Sequence, residues 1–243
     1  MNFIIEKIKG EIKHDFIFTL LQSLDFQKWN GNEINIKSSN LEDLKICKSY
    51  IPIGSVDFVH KYMTLSNIKI PLPINIPLSL NKHEFTCRNI VYGNEDVVNK
   101  IGNNKHVKST DKVKGYTEIF EHGMTIHRGN YQISELINID SEWRCFIHRN
   151  ELVGLQNYNG DFTLFPNIKL INKIIKEYYN APIAYTLDVG VNNNNTFIIE
   201  IHNFYSCGLY GFSNHKILPF MFSQWWYNYM NKQIKTKWQN KNQ

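Results

Sequence analysis

Cysteine is scarce in this chain of 243 residues, which carries only four: Cys47, Cys87, Cys145 and Cys207. They are scattered along the sequence, with no C-x-x-C pair among them. This pattern argues against a structural zinc site and against a disulfide framework. We therefore expect reduced thiols in a cytoplasmic protein.

Long apolar runs and glycine-rich phosphate loops are also missing. No stretch approaches the length of a membrane span, and charges interrupt the first nine positions, where a signal peptide would have its apolar core. The sequence contains neither G-x-x-x-x-G-K-S/T nor G-x-G-x-x-G, so it supports neither a P-loop nor a Rossmann phosphate site. We expect no membrane partner.

The composition indicates a globular protein with a mild positive charge. Hydrophobic residues make up 42% of the chain and aromatic residues 14%, which is enough for one large domain or two small ones. The formal net charge of +5 suits a phosphate-bearing ligand as well as a weak nucleic-acid contact.

Residues 1–80 have the pattern of a short α/β unit. Helical spacing of apolar residues predicts a helix over 15–24, and a capping-box pattern predicts a helix start at Ser39. Residues 51–59 predict a strand, a glycine turn and a short helix. The proline-rich stretch 68–80 predicts an extended connector, at which we place a domain boundary.

From residue 85 onward, short strands alternate with a few helices, so the expected fold class is α+β. Helices are predicted over 94–101, with Asn94 as the cap, over 167–179 and over 217–232. The predicted strands are 85–91, 105–108, 116–120, 131–138, 142–149 and 152–158. Residues 233–243 are expected to form a polar basic tail.

The last third of the chain predicts a hairpin, with strands at 185–191 and 197–203 joined by an asparagine-rich turn. Asp188 lies on the first strand and Glu200 on the second, and Asn203 follows at the strand end. Three such oxygen ligands suit Mg²⁺ that is also held by phosphate oxygens. The alternative is that one acid faces solvent and the other caps a turn.

Strand alternation gives a finer expectation for this hairpin. Thr186 and Asp188 should share one face, and Thr196, Ile198 and Glu200 should share a face of the second strand. We expect His202 on the opposite face from Glu200, in a structural role.

Three further features carry charge in places where chemistry is plausible. Lys108, Lys112 and Lys114 surround a turn between two strands, either as phosphate ligands or as a solvated hairpin tip. Glu135 ends a strand, where it could accept hydrogen bonds from sugar hydroxyls or be an ordinary polar position. Arg144 lies among apolar neighbours and needs an anionic partner, either a structural carboxylate or a substrate phosphate.

The order of these features resembles the ATP-grasp superfamily. A lysine strand, a Lys-Gly turn, Ser-Glu at a strand end, Glu-Trp-Arg-x-Phe, a helix, Leu-Asp-Val and Ile-Glu-Ile-x-Asn follow one another over residues 85–230. Small bacterial and bacteriophage-associated members of unassigned substrate carry a similar series. The resemblance implies an ATP-grasp domain over 85–232, with two α+β subdomains gripping the nucleotide, preceded by a reduced N-terminal α/β domain over 1–80.

The resemblance also implies nucleotide-binding roles for four residues. Lys108 would contact the α- and β-phosphates of ATP, and Lys114 would lie near the adenine and phosphates at a flexible turn. Glu135 would lie at the hinge that binds adenine and ribose. Arg144 would stabilise the γ-phosphate or an acyl-phosphate. The glycine-rich lid of many members is reduced here to residues 112–116.

The metal ligands implied by the resemblance are Asp188, Glu200 and Asn203, with Glu200 bridging two Mg²⁺ ions. The implied activity is an ATP-dependent carboxylate–amine ligase that forms an amide or peptide bond through an acyl-phosphate and releases ADP and phosphate. Its substrates would be small-molecule or peptide carboxylates and amines. Tyr205 and Tyr210, after the metal strand, are candidates for lining the substrate pocket.

Two alternatives stay open. The same fold could act as a phosphotransferase, with the phosphate ending on a hydroxyl. It could also be a non-catalytic nucleotide- or nucleic-acid-binding module, in which Trp225, Trp226 and Trp238 would stack bases. We favour core packing for these tryptophans because they lie at helical spacing, so nucleic acid is not the expected partner. The same aromatic helix could pack on a second copy of the chain, giving a homodimer.

Overall fold

The computed structural model describes residues 1–46, 49–193 and 195–241, and within these residues it contains three four-stranded sheets. The strands are β1 (Asn2–Ile8), β2 (Glu11–Ile12), β3 (Asn35–Asn40), β4 (Ile51–Ile53), β5 (Ile90–Asn94), β6 (Lys105–Ser109), β7 (Thr117–Phe120), β8 (Asn130–Ser134), β9 (Ser141–His148), β10 (Glu151–Gly160), β11 (Ala184–Asn192) and β12 (Asn195–Asn203). The helices are α1 (His14–Phe16), α2 (Gln22–Trp29), α3 (Val56–Leu65), α4 (His83–Thr86), α5 (Glu95–Ile101), α6 (Ile168–Glu177) and α7 (Leu218–Lys241). A π-helical stretch, Ile17–Leu21, joins α1 to α2, and a 3-10 turn spans Leu78–Leu80.

The N-terminal sheet is built around β1, which pairs in parallel with β3 and β4 and antiparallel with β2. The strand, turn and helix expected over 51–59 are confirmed, since β4 leads into α3 and the Ser55 hydroxyl caps the helix by accepting from Phe58 N. The helix start predicted at Ser39 is wrong. Residues 35–40 form β3 instead, because six paired positions along β1 outweigh a local capping pattern.

The small central sheet has the order β5-β8-β6-β7. Helix α5 begins as expected, with the Asn94 side chain accepting from Val97 N. The strand predicted over 85–91 is wrong for its first half, because His83–Thr86 form a helical turn that ends at Cys87 in the left-handed region, and β5 starts only at Ile90.

The large antiparallel sheet has the order β10-β9-β11-β12 and contains the predicted hairpin. Helix α6 packs on one face of it, starting at Asn167, whose side chain accepts from two backbone N–H groups of the first turn. Ile171, Ile174 and Ile175 of this helix are buried in one cluster with Leu187 and Val189 of β11. The helix predicted over 167–179 is therefore confirmed, with ends one or two residues shorter.

A second buried cluster joins the two ends of the chain. Phe3 and Ile5 of β1 and Tyr62 of α3 are buried with Trp225 and Trp226 of α7. The expectation that these two tryptophans are core residues is confirmed, while the side chain of Trp238 lies outside the described part of the structure. Cys87, Cys145 and Cys207 are free thiols, as predicted, and Cys47 also lies outside the described residues.

The proline-rich segment forms an extended connector that touches both of the later sheets. Asn75 O accepts from Ile201 N of β12 at 2.9 Å. The next residue, Ile76, donates its N–H to the Gln132 side chain of β8, and its carbonyl accepts from the Tyr92 hydroxyl of β5. The segment is therefore tied to the large and small sheets at adjacent residues. Among the described residues, no helix combines the length and hydropathy needed to cross a membrane.

Gly160 ends β10 at a position where a side chain would be strained and would clash. Its φ is +76°, and an added Cβ would collide with the backbone oxygen of Asp140. We expect Gly160→Ala to lower the free energy of unfolding by about 2–3 kcal/mol, measured by urea denaturation. Gly123→Ala is the matched control, since its φ is +93° but nothing lies within 4 Å of the added Cβ. Equal losses in both variants would mean that backbone strain alone acts and that the clash is relieved.

Candidate active site

A cavity of about 600 Å³ lies between the small and large sheets. The small sheet contributes Lys108, the large sheet contributes Arg144 and Glu200, and the turn between β6 and β7 contributes Lys112 and Lys114. Its volume falls in the range of small-molecule and cofactor sites. Charged groups from two sheets and a connecting turn therefore converge on one space.

A bulge in β12 decides which side chains reach the cavity. Asp188 pairs with Glu200, but the next residue of β11, Val189, pairs with Ile198, so Ile199 is the extra residue. Ile198 is fully buried in the α6 cluster, whereas Glu200 and Ile199 line the cavity. The prediction that Ile198 and Glu200 share a face is wrong, because a bulge shifts the alternation by one residue.

Arg144 and Asp188 form a buried, two-pronged ion pair on adjacent strands. The guanidinium Nε and Nη2 donate to the two carboxylate oxygens at 2.8 and 2.6 Å, and the side chains are 9% and 1% exposed. Arg144 also donates to Gly208 O and lies against the stacked rings of Tyr158 and Tyr210. Burial alone lowers the pKa of Arg144, and Asp188 raises it above its ordinary value. Of the two partners weighed from the sequence, the structure shows the structural carboxylate.

Lys108 and Glu200 form an ion pair that crosses the cavity from the small sheet to the large one. Burial alone would raise the pKa of the Glu200 carboxyl, but His202 and Lys108 beside it lower that pKa far below its usual range. Glu200 is therefore an anion that already attracts a cationic group in this structure.

His202 lies on the same face as Glu200, contrary to the prediction, because residues two apart on a strand share a face. Its Nε2 lies 2.7 Å from Glu200 Oε1 and 3.8 Å from Asp188 Oδ2. Ligand atoms of Asp188, Glu200 and His202 all lie within 4.8 Å of one another. The three side chains could hold one metal ion.

Asn203, the third predicted metal ligand, lines the cavity at the end of β12. Its Oδ1 accepts from the indole nitrogen of Trp225 at 3.2 Å, and its Nδ2 donates to Leu72 O at 3.4 Å. Both ends of the amide are thus bonded to the protein.

Lys114 lies in the turn between β6 and β7, which covers part of the cavity. Its backbone adopts φ +55°, and its ammonium lies 3.8 Å from Asp57 Oδ2 at the first turn of α3. The short lid predicted from the sequence therefore reaches the N-terminal sheet's helix.

Glu135 directly follows β8 and lines the cavity. Its carboxylate accepts from the backbone and side-chain nitrogens of Asn89 at 3.0 and 3.2 Å, and Lys105 lies 3.9 Å away. The Asn89 backbone bond is the main cause that lowers the pKa of Glu135. The strand-end location expected for this residue is confirmed.

Several cavity residues escape sequence reasoning. Tyr205 lines the cavity as anticipated, but its hydroxyl lies 2.9 Å from Nε2 of His60, on α3 of the N-terminal unit. Buried Arg88 lines the cavity from the loop before β5 and donates to Ile198 O. Only the position of Tyr205 after the metal strand gives a sequence signal; the other two depend on how distant segments pack.

Comparison with known proteins gives the family. The model of an ATP-grasp domain, family 2 of its clade, matches residues 85–219, which is more than half of the chain. No curated protein matches the chain.

Solved structures similar to this one share its fold at low sequence identity. D-alanine–D-alanine ligase from Bacillus anthracis complexed with ATP has a TM-score of 0.52 at 13% identity, covering 95% of this chain and 98% of that one. D-cycloserine synthetase DcsG has a TM-score of 0.54 at 10% identity, covering 93% and 98%. ATP-grasp ligase PsnB, complexed with minimal precursor, has a TM-score of 0.50 at 9% identity, covering 92% and 99%. These similarities confirm the predicted α+β ATP-grasp fold.

Proposed function

Because the chain belongs to the ATP-grasp superfamily, we propose that it is an ATP-dependent ligase that joins a carboxylate to an amine. The observation that carries the proposal is the cavity between the two sheets, where Lys108, Arg144, Asp188 and Glu200 meet. Cationic groups beside a carboxylate pair are what the binding of a nucleotide triphosphate with a divalent cation requires.

The residues present fit a divalent cation at this site. Glu200 is ionised and already paired with the ammonium of Lys108, and ligand atoms from Asp188 and His202 lie close by. Asp188 and Glu200 would hold the cation, and Asn203 is the third ligand that the sequence suggests. When bound, Mg²⁺ neutralises the β- and γ-phosphate oxygens during transfer.

The chain's own side chains would supply the remaining charge stabilisation. A cation at Glu200 competes with Lys108 for the carboxylate charge, so the Lys108 ammonium can turn towards phosphate oxygens across the cavity. Arg144 is held in place by Asp188, so it adds a fixed positive field at the same end. Lys114 on the covering turn would close over the phosphates, while Glu135 would accept hydrogen bonds from the adenine or ribose.

The proposed reaction has two steps. A substrate carboxylate oxygen attacks the γ-phosphorus of ATP, and the bond to the β,γ-bridging oxygen breaks to release ADP. An amine then attacks the acyl carbon, phosphate leaves, and one proton is lost as the amide forms. Among proteins of similar fold, the names of D-alanine–D-alanine ligase and of PsnB with a minimal precursor support amino-acid or peptide substrates as the first to test.

Trapping with hydroxylamine tests this proposal without knowing the amine. Purified protein, ATP, Mg²⁺ and pooled amino acids or short peptides would be incubated with hydroxylamine, which converts an acyl-phosphate into a hydroxamate with a coloured iron complex. We expect hydroxamate and ADP in equal amounts, both dependent on one acid pool. A stable phosphorylated product without hydroxamate would favour a phosphotransferase instead. ADP release that no pool alters would overturn the ligase proposal.

A further inference from the structure

We propose that His202, rather than Asn203, is the third ligand of the divalent cation, and that this ligand makes the site prefer Mn²⁺ over Mg²⁺. The proposal rests on the cation site of the proposed function and specifies its ligands. It concerns the carboxylates of Asp188 and Glu200 and the imidazole between them.

The geometry of β12 brings the imidazole to the cation position. Glu200 and His202 lie two residues apart on the cavity side of the strand, beyond the bulge at Ile199. The Nε2 atom lies 2.7 Å from one carboxylate and 3.8 Å from the other. Adjacent ligands of an octahedral ion at about 2.1 Å are roughly 3 Å apart, so these separations bracket the required spacing.

The two oxygens of Glu200 have different partners, which leaves one side for the cation. Lys108 contacts Oε2, whereas His202 contacts Oε1. A cation that displaces the bond between Oε1 and Nε2 would therefore gain two ligands at once, without first breaking the Lys108 ion pair.

Asn203 is less available than His202. Its Oδ1, the atom that would bind a cation, accepts a hydrogen bond from the indole of Trp225, and its Nδ2 donates to Leu72 O. Recruiting the amide would leave the indole nitrogen of a buried tryptophan without this partner, which costs about 1–3 kcal/mol.

The ligand set decides the metal. Mg²⁺ binds oxygen ligands almost alone, whereas Mn²⁺ accepts carboxylates, phosphate oxygens and imidazole together. Zn²⁺ favours four-coordinate sites rich in nitrogen or sulfur, which two carboxylates and a triphosphate do not offer. Mn²⁺ is therefore the ion that fits two carboxylates, one imidazole and phosphate oxygens.

Pulsed electron paramagnetic resonance of Mn²⁺ tests the ligand directly. The protein, the β,γ-methylene analogue of ATP and Mn²⁺ would be compared with protein labelled with ¹⁵N-histidine. We expect a nitrogen coupling that changes with the label, and its loss in His202→Asn. His106→Asn is the matched control because His106 also lines the cavity; it should keep the coupling. No histidine coupling in the wild type, or loss in the control alone, would overturn the proposal.

Calorimetry with the same analogue gives a second readout. We expect the ratio of Mn²⁺ to Mg²⁺ affinity to fall about tenfold in His202→Asn and to stay unchanged in His106→Asn. Should His202→Asn fail to fold, His202→Gln and the labelled wild type still decide the question. Cation-dependent analogue binding with an unchanged ratio and no coupling would overturn the role of His202 alone. Analogue binding that no cation alters would overturn the cation site of the proposed function as well.

Discussion

Replacing Asp188 by asparagine is expected to lower the free energy of unfolding by about 3–5 kcal/mol, measured by urea denaturation without nucleotide or divalent cation. The substitution keeps the shape of the side chain but removes its charge. Arg144, with a side chain 9% exposed, then keeps its positive charge with no anion against it. The desolvation cost of that charge is no longer offset, because Asp188 supplies both acceptors of its two-pronged contact.

Two further variants separate a lost ion pair from general damage to the sheet. Glu151→Gln removes an exposed carboxylate from β10 of the same sheet and should change stability by less than about 0.5 kcal/mol. The double variant Arg144→Met, Asp188→Leu removes both charges and should be more stable than Asp188→Asn. A loss in Asp188→Asn no larger than that in Glu151→Gln would contradict the importance assigned to this pair.

Lys108→Met is expected to lower acid-dependent ADP release by about 10²–10³-fold. Methionine retains much of the side-chain volume but cannot stabilise negative charge on the transferred phosphate. The folded state should survive, because Lys108 is only partly buried and Glu200 keeps His202 as a partner. The measurement is steady-state ADP release with the acid identified by hydroxamate trapping, with thermal unfolding recorded in parallel.

Lys100→Met provides the control for lost positive charge on the same subdomain. Lys100 lies exposed on α5, away from the residues that line the cavity, so its removal should leave ADP release within about twofold. Equal activity in Lys108→Met and Lys100→Met would remove Lys108 from the proposed site. A fall in both would indicate that overall charge, rather than this ammonium, assists the nucleotide.

Local patterns in the sequence predict much of the fold. The caps Asn94 and Asn167 lie where helices begin, because an amide side chain at such positions satisfies free backbone N–H groups whatever lies around it. The hairpin of β11 and β12 is likewise encoded in two short apolar runs and an asparagine-rich turn. Ser39 shows where this reasoning fails, since strand pairing with β1 depends on residues far along the chain.

The candidate site was harder to predict because it depends on pairing and on contacts between distant segments. The bulge at Ile199 has no signature in the sequence, yet it decides that Glu200 faces the cavity and Ile198 the core. The ion pair of Lys108 and Glu200 joins residues 92 positions apart on different sheets. His202 was predictable: a two-residue period from Glu200 places both on one face, and only the wrong parity assigned it elsewhere.

The burial of β1 and α3 against α7 has a consequence for how the chain is made. During synthesis, Phe3, Ile5 and Tyr62 leave the ribosome more than 150 residues before Trp225 and Trp226, which complete their cluster. The nascent N-terminal sheet must therefore wait with an apolar face open to other molecules. Yield in the cell should depend on chaperone supply and on translation speed across the middle of the chain, more than for a protein whose first sheet closes on itself.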